Sequence, residues 1–463
     1  MIKDNKQEMG EKRIKGLLFK YSLPAIIGML SNALYNIIDT MFIGNGVGPL
    51  GIAGLSLSFP IQMIIGAFAL MFGVGCASVE SIKFGQKKAH EASAIVGNTI
   101  VISIIFAFIY LFFVLRFVDP ILSFFGASEA TLPFARDYIT IVMIGAVPLS
   151  FTMVINNTLR AVGQARKAMV TMLVGTMLNI VLDPVFIFGF GLGIKGAAIA
   201  TVIGQFAGAF VSIYFVFKGY MGVEFEKDSF RLRLSNIKQI LSVGISTFVR
   251  QIGVSVVAIA VNYQLSIYGG DLLIASYGIV NKFISLFLMP MFGIAQGAQP
   301  LIGYNFGAGK IDRVKETLKL SQVYCMLVGM VGFLGALLIP KLIMSIFTTD
   351  VELITISVLP LRIIFSTLIF IAISTVGSTL FQATGKGREA FFLNMLRQII
   401  IFLPLVFILP LFYGVDGIWF SFVIGELLTA VITIFMTGDG IKKMEKENQL
   451  LSPKKSKGFT EAN

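Results

Sequence analysis

Two aspartates lie deep within apolar stretches of the sequence, where a charged side chain is not expected. They are Asp39 and Asp183. Asn179 precedes Asp183 by four positions, so the two side chains share one face if the segment is helical. Pro184 follows directly and removes a backbone donor, which should loosen such a helix beside the carboxylate. Because a charge at the centre of a bilayer costs about 2.5–3.5 kcal/mol, these carboxylates require a partner or a function.

Two interpretations of this pair stay open at the level of sequence. In the first, Asp39 and Asp183 are structural, and each is hydrogen-bonded to neighbouring helices. In the second, they form a switchable site, because two carboxylates in one low-dielectric pocket cannot easily both ionise. Such a pair could bind and release a proton, or bind Na⁺. Periodicity alone does not show that the two residues meet.

Other kinds of chemistry find little support in the residue types. The single histidine, His90, lies in a polar loop, and Cys76 and Cys325 lie in apolar stretches about half a chain apart. This pattern fits neither a disulfide nor a zinc site. There is no Walker A pattern or kinase-like glycine loop, so ATP is not the expected energy source. We therefore predict a protein that is not an enzyme, has no cofactor and has no metal beyond possible Na⁺ at Asp39 and Asp183.

The composition predicts that helices in a membrane position these aspartates. Of the 463 residues, 56% are hydrophobic and only 13% are charged, against about 25% charged in soluble domains. About 20 mostly apolar residues span a bilayer, and twelve apolar runs reach that length. We predict an all-α polytopic fold with spans at approximately 17–44, 52–79, 92–115, 133–155, 168–190, 196–217, 237–268, 272–303, 318–340, 355–380, 390–412 and 415–436.

The formal net charge of +12 is distributed unevenly along this topology. Of 37 Lys and Arg residues, 29 fall on the side of the two chain termini and only 3 in the loops of the opposite side. The positive-inside rule then places both termini on the cytoplasmic side of the membrane. We expect this membrane to be the inner membrane of a bacterium. Nucleic acid is not needed as a partner to explain this charge.

An internal repeat divides the chain into two halves. Gly85 and Gly307 follow corresponding spans, and so do Gly163 and Gly385, with the same numbering offset of 222 in both pairs. Each copy contains six spans, so the two lobes enter the membrane in the same orientation. A pseudo-twofold axis along the membrane normal should relate them, with a cavity between. The predicted parts are an N-terminal lobe (1–217), a cytoplasmic interlobe loop (218–238), a C-terminal lobe (239–438) and a cytoplasmic tail (439–463).

The repeat does not extend to the aspartates. At the repeat offset, Asp39 corresponds to Val261 and Asp183 corresponds to Leu405. Both carboxylates therefore belong to the first half alone.

Further polar residues within the spans could line a substrate cavity. Lys282 could pair with a carboxylate or shape the cavity. Glu426 matches Gln205 within one position of the repeat offset, which indicates a polar structural position. Pro24 lies early in the first span and would permit a bend there. The candidate cavity residues are Asn32, Tyr35, Asn157, Arg250 and Lys282.

Several motifs together resemble one known family, the multidrug and toxic compound extrusion (MATE) transporters. The resemblance runs through all twelve spans and is most specific in the first half. It implies two six-helix lobes that form a V and a cation-coupled export of organic, often cationic, compounds. The motifs are Ser22-Leu23-Pro24, Asp39-Thr40-Met41-Phe42-Ile43-Gly44, Arg160-Ala161-Val162-Gly163-Gln164, Asn179 with Asp183-Pro184, and Gly196-Ala197-Ala198-Ile199-Ala200-Thr201.

The same resemblance implies a site for the coupling ion in the first lobe. It also places Pro24 at the bend of the first span. Some members of the family carry acidic residues in the second lobe, but this chain has Arg250 and Gln251 in span 7. The ion site is therefore expected in the first lobe only. Its implied residues are Asp39, Tyr138, Asn179, Asp183 and Thr201.

We therefore predict a monomeric antiporter that exports small organic, cationic or amphipathic compounds in exchange for H⁺ or Na⁺. Alternating access would switch the Asp39/Asp183 site between the two sides. The alternative is a flippase for a lipid-linked sugar from the same superfamily, although such proteins often have two more spans and a cationic central cavity.

Overall fold

Long hydrophobic helices account for nearly all of the chain. The computed structural model describes residues 8–451, in which there is no β-strand. Within this range twelve helices are long and apolar enough to cross a membrane, and helices satisfy their own backbone hydrogen bonds there. This confirms the predicted all-α fold of twelve spans. They are α1 (Ile14–Gly46), α2 (Pro49–Gly85), α3 (Ala89–Arg116), α4 (Leu132–Ala161), α5 (Ala165–Gly189), α6 (Ile194–Phe217), α7 (Leu234–Tyr268), α8 (Gly270–Gly307), α9 (Ile311–Leu338), α10 (Val351–Ala383), α11 (Gly387–Tyr413) and α12 (Val415–Leu450).

The two halves repeat one another in local detail. A short helix, Val118–Phe124, follows α3, and its counterpart Pro340–Ser345 follows α9 and begins where the repeat offset predicts. Gly163 and Gly385 both stand just after a span in the left-handed conformation, with φ of 79° and 74°. A side chain is strained in that conformation, so glycine is favoured in both copies. The pseudo-twofold arrangement of two six-helix lobes follows.

The structure bears on one predicted bend, in α1, and on one predicted boundary, at the end of α12. Helix α1 runs through Pro24 without interruption, so a bend at Pro24 stays a prediction. The last helix continues to Leu451, well into the segment predicted as a tail from residue 439. Lys315 forms an ion pair with Glu445, and Asn448 donates to the Gly309 carbonyl at 2.9 Å, so this extension is docked on the second half. Residues 452–463 of the predicted tail lie outside the described residues.

On the face that carries the two termini, which we call the terminal face, the halves meet through backbone. Helix α1 packs on α8, and α2 packs on α7 and α8. A Cβ on Gly85 would lie 2.8 Å from the backbone nitrogen of Ala308, and one on Gly307 would lie 2.9 Å from the carbonyl carbon of Ile82. Since Gly85 and Gly307 are repeat counterparts, this contact sits on the pseudo-twofold axis and closes the terminal face.

The segment before α1 strengthens this closure. The carbonyl oxygen of Met9 accepts hydrogen bonds from Asn305 and Arg313, each at 3.0 Å, and Lys310 donates to the Gly10 carbonyl at 2.9 Å. Met9 itself is fully buried. The start of the first half is therefore tied to the end of α8, the start of α9 and the loop between them in the second half.

Replacing Gly307 by valine should wedge the terminal face open, because overpacking of a tight contact costs about 1–3 kcal/mol. Gly278→Val lies on the same helix, where a Cβ meets no atom within 4 Å, and is the matched control. Spin labels at the exposed positions His90 and Arg388 report the separation of the halves. We expect a longer and broader distance distribution for Gly307→Val only. An unchanged distribution would show that this contact does not hold the face closed.

Candidate functional site

The structure brings the two membrane-depth aspartates together. Helix α1 packs on α5, and the carboxyl groups of Asp39 and Asp183 lie within hydrogen-bonding reach of each other. Asp39 is 3% exposed and Asp183 is 0% exposed. The sequence left their proximity open, and the packing of α1 on α5 supplies it.

A polar cluster surrounds the pair. The Asn179 amide donates to Asp183 Oδ1 at 3.3 Å and to the Thr201 hydroxyl at 3.2 Å. The hydroxyls of Tyr35 and Tyr138 also lie within hydrogen-bonding reach of Thr201. Helices α1, α4, α5 and α6 thus contribute to one buried site. It contains all five residues that were predicted for the coupling ion, together with Tyr35.

Three oxygens of this cluster are buried without a donor among the described residues. They are Asp39 Oδ1, Asp183 Oδ2 and Asn179 Oδ1. A buried acceptor that lacks a donor is costly, and a buried carboxylate more so. A shared proton would satisfy the two carboxyl groups. Na⁺ also fits, because hard cations prefer oxygen ligands of this kind. In residues 8–451 there is no cluster of three or more His, Cys, Asp or Glu that could hold another metal ion.

The backbone beside Asp183 departs from the α-helical pattern. After Pro184 the chain forms a π-helical turn over Val185–Gly189, in which the Phe190 amide donates to the Val185 carbonyl at 2.9 Å. Proline lacks the amide that an α-helix would use at this point. The loosening predicted from the sequence is therefore present directly after the carboxylate and its proline, and such π-turns often occur at functional sites.

A cavity of about 140 Å³ lies against the cluster and shares residues with it. Glycines form part of the wall, since a Cβ on Gly175 would lie 2.8 Å from the Gly204 carbonyl oxygen, and α5 and α6 can therefore approach closely. Its polar lining consists of Asn32, Tyr35, Thr152, Asn156, Thr171, Thr176, Asn179, Thr201 and Gln205. The site thus connects to a space that water or a small ligand can enter.

Two of the five candidate cavity residues, Asn32 and Tyr35, line this cavity, and the other three lie elsewhere. Asn157 accepts a hydrogen bond from Arg160 at 3.1 Å. Arg250 lies on α7 of the second half with its guanidinium over the Phe292 ring. Lys282 is exposed on α8. A role of these three in binding substrate stays a prediction.

Some lining residues were missed although the sequence contained a signal for them. Thr171, Gly175, Asn179 and Asp183 follow one another at every fourth position, which places them on one face of α5. This face lines the cavity and leads to the carboxylate. Extending the spacing of Asn179 and Asp183 towards the start of the helix would have identified it.

Comparison with known families gives one match that occurs twice. The family model described as MatE matches residues 24–185 and again residues 247–408. The first match covers α1 to α5 and the second covers α7 to α11, so the family pattern is itself repeated in the two halves.

Known proteins and solved structures resemble the chain over nearly its full length. It is 30% identical over 427 residues to the multidrug export protein MepA of Staphylococcus haemolyticus (strain JCSC1435), covering 92% of this chain and 94% of that protein. It is 29% identical over 419 residues to MepA of Staphylococcus aureus (strain MSSA476), covering 90% and 92%. A solved outward-facing conformation of a multidrug resistance MATE family transporter of the MOP superfamily has a TM-score of 0.90 at 25% identity, covering 95% of this chain and 98% of that one.

Replacing Thr201 by valine should destabilise the site, because the near-isosteric methyl group cannot accept the hydrogen bond from Asn179. Leaving a buried polar group without its partner costs about 1–3 kcal/mol. Thr201→Ser keeps the hydroxyl and is the control. We expect a lower melting temperature of the purified protein for valine than for serine, measured by a thiol-reactive dye that labels the buried Cys76 and Cys325 on unfolding. Equal melting temperatures would contradict the assignment of the hydroxyl as the centre of this network.

Proposed function

This chain belongs to the MatE family, the multidrug and toxic compound extrusion transporters, and from that premise we propose that it is a secondary antiporter. It exports organic, often cationic, compounds in exchange for H⁺ or Na⁺. The observation that carries the proposal is the contact between Asp39 and Asp183 beside a polar cavity. Its similarity to two proteins named multidrug export proteins supports the same substrate class.

The coupling follows from the charge of the pair. With one shared proton the site carries a single negative charge, and without it the two carboxylates repel each other at low dielectric. A cationic substrate that binds after the proton has left, or Na⁺ at the donor-free oxygens, stabilises the deprotonated pair. Binding of the ion and binding of the substrate therefore compete, and this competition is what an exchanger requires.

Alternating access accounts for the arrangement of the two halves. The terminal face is closed by the contact of Gly85 and Gly307. The 29 basic residues on the terminal side support a cytoplasmic location of both termini in a bacterial inner membrane. The described state is then closed to the cytoplasm. A monomer as the transporting unit is part of this proposal.

The free energy supplied by one ion is comparable to the free energy needed to export one substrate molecule. Export against a 100-fold gradient requires about 2.7 kcal/mol, since each factor of ten is about 1.4 kcal/mol. One proton that moves across about 100 mV supplies about 2.3 kcal/mol before any pH difference. The exchange of a neutral substrate for one proton is driven by both the membrane potential and the pH gradient. A monovalent cation exchanged for one proton is electroneutral and depends on the pH gradient.

Asp39→Asn and Asp183→Asn should each abolish drug resistance in a sensitive bacterial host while the protein still reaches the membrane. The amide keeps the shape of the side chain but cannot release a proton or carry the charge that Na⁺ needs. Asp271→Asn changes an exposed carboxylate at the start of α8 and is the matched control. Resistance is measured as the inhibitory concentration of a cationic dye. Full resistance in both site variants would remove the mechanism.

The coupling ion is identified by transport in proteoliposomes with separately imposed pH and Na⁺ gradients. Efflux of a fluorescent cationic dye that responds to only one gradient assigns that ion. Dye movement that persists at the same rate with neither gradient and with either aspartate replaced would show an uncoupled pathway instead.

A further inference from the structure

A cluster of charged side chains lies inside the second half, away from the aspartate site. Arg397 Nε donates to Glu426 Oε1 at 2.7 Å, and both side chains are only 12% exposed. Arg250 lies nearby on α7, with its guanidinium 5.1 Å from the centre of the Phe292 ring. Helices α7, α8, α11 and α12 thus surround two guanidinium groups and one carboxylate.

The packing of α7 against α11 explains why the two arginines are neighbours. A Cβ on Gly253 would lie 2.8 Å from Gln398, so the helices touch at this point. Arg250 precedes Gly253 by almost one turn, and Arg397 directly precedes Gln398. Arg397 is close enough for its charge to act on Arg250. It also lies in a π-helical turn, Leu396–Ile401, which is the second such turn among the described residues.

The cluster occupies the repeat counterpart of the polar cavity in the first half. At the repeat offset, Arg250 corresponds to Gly28 and Arg397 corresponds to Gly175. Glu426 corresponds to Gln205, because Val-Ile-Gly precedes both, at an offset of 221. Gly175 and Gln205 line the first-half cavity. The second half therefore places charged side chains where the first half has cavity wall.

The charges of the cluster do not balance. Arg250 forms no ion pair within residues 8–451, and Glu426 pairs with Arg397, so the cluster contains two guanidinium groups and one carboxylate. Glu426 Oε2 is buried and accepts no hydrogen bond in the same part of the chain. An unmatched cation at membrane depth is costly, and Arg250 is partly exposed, so a ligand can reach it. Guanidinium groups hold carboxylates in a bidentate geometry.

We propose that Arg250 and Arg397 form a subsite for the anionic group of a transported compound, with Glu426 holding Arg397 in place. The ligand class is a zwitterionic amphiphile that carries a carboxylate. This inference rests on the proposed transport function and adds a substrate class to it. The headgroup of an anionic lipid presents the same chemistry, and the experiment separates these two sources.

The test measures binding of rhodamine B and of its methyl ester to the purified full-length protein in phosphatidylcholine nanodiscs. The two dyes differ only in the free carboxylate. For Arg250→Gln we expect affinity for rhodamine B to fall by about tenfold, the loss of one charge-assisted hydrogen bond. Affinity for the ester should change by less than about twofold. Arg250→Lys should restore part of the difference, because it keeps the charge without the bidentate geometry.

Arg362→Gln is the matched control, since Arg362 is an exposed arginine within α10 of the same half. Equal losses for both dyes in Arg250→Gln would assign the cluster a structural role only. No loss for either dye would also overturn the proposal. If phosphatidylglycerol in the nanodiscs displaces rhodamine B from the wild-type protein, the site belongs to lipid headgroups and the substrate assignment is wrong.

This binding test does not depend on coupling. If Asp39→Asn and Asp183→Asn leave transport intact while Arg250→Gln still weakens the binding of rhodamine B more than that of its ester, the proposed ion coupling fails and the anionic subsite stands.

Discussion

The structure of the first half depends on the contact of two carboxyl groups at membrane depth. Both side chains are almost fully buried, so their neighbours must donate hydrogen bonds to them or accept the cost of a buried charge. Asn179 on α5 donates to Asp183 and to Thr201 on α6, and Tyr138 on α4 lies within hydrogen-bonding reach of Thr201. The same contact explains the glycines between α5 and α6, because the helices that bear polar partners must approach closely. The same glycines form part of the wall of the cavity beside the site.

The two halves share their helical architecture but differ in their buried polar residues. The physical reason is that a backbone contact and a buried charge place different requirements on the surrounding residues. A backbone contact such as the one between Gly85 and Gly307 requires only that no side chain be present at two equivalent positions. A buried charge requires a partner of opposite charge or a proton, contributed by another helix. Asp39 with Asp183 in the first half and Arg397 with Glu426 in the second half are two different solutions to this requirement. Replacing one partner alone would leave a buried charge uncompensated, so such pairs diverge together.

Much of the fold could be predicted from the sequence, because length, apolar runs and a constant repeat offset all act along the chain. The identity of Asp39 and Asp183 as unusual residues follows from the same apolar context. Their proximity could not be predicted, because it depends on how α1 packs against α5, and no periodicity within one helix encodes that contact. Tyr138 and Thr201 came from the family resemblance alone. Arg250 and Glu426 were noted in the sequence, but their convergence with Arg397 requires the packing of α7 on α11.

The closure at the terminal face has a property that suits the alternating access that we propose. Glycine contacts on the pseudo-twofold axis gain dispersion energy over a short distance and lose it as soon as the backbones part. Interlocked side chains or buried ion pairs across the axis would make separation far more costly. Of the hydrogen bonds to the backbone of residues 9–12, the one from Asn305 is buried, whereas the one from Arg313 to Lys12 is exposed and can be replaced by water. In the mechanism that we propose, a tight closure of this kind lets the small free energy of one bound ion decide which face of the protein is open.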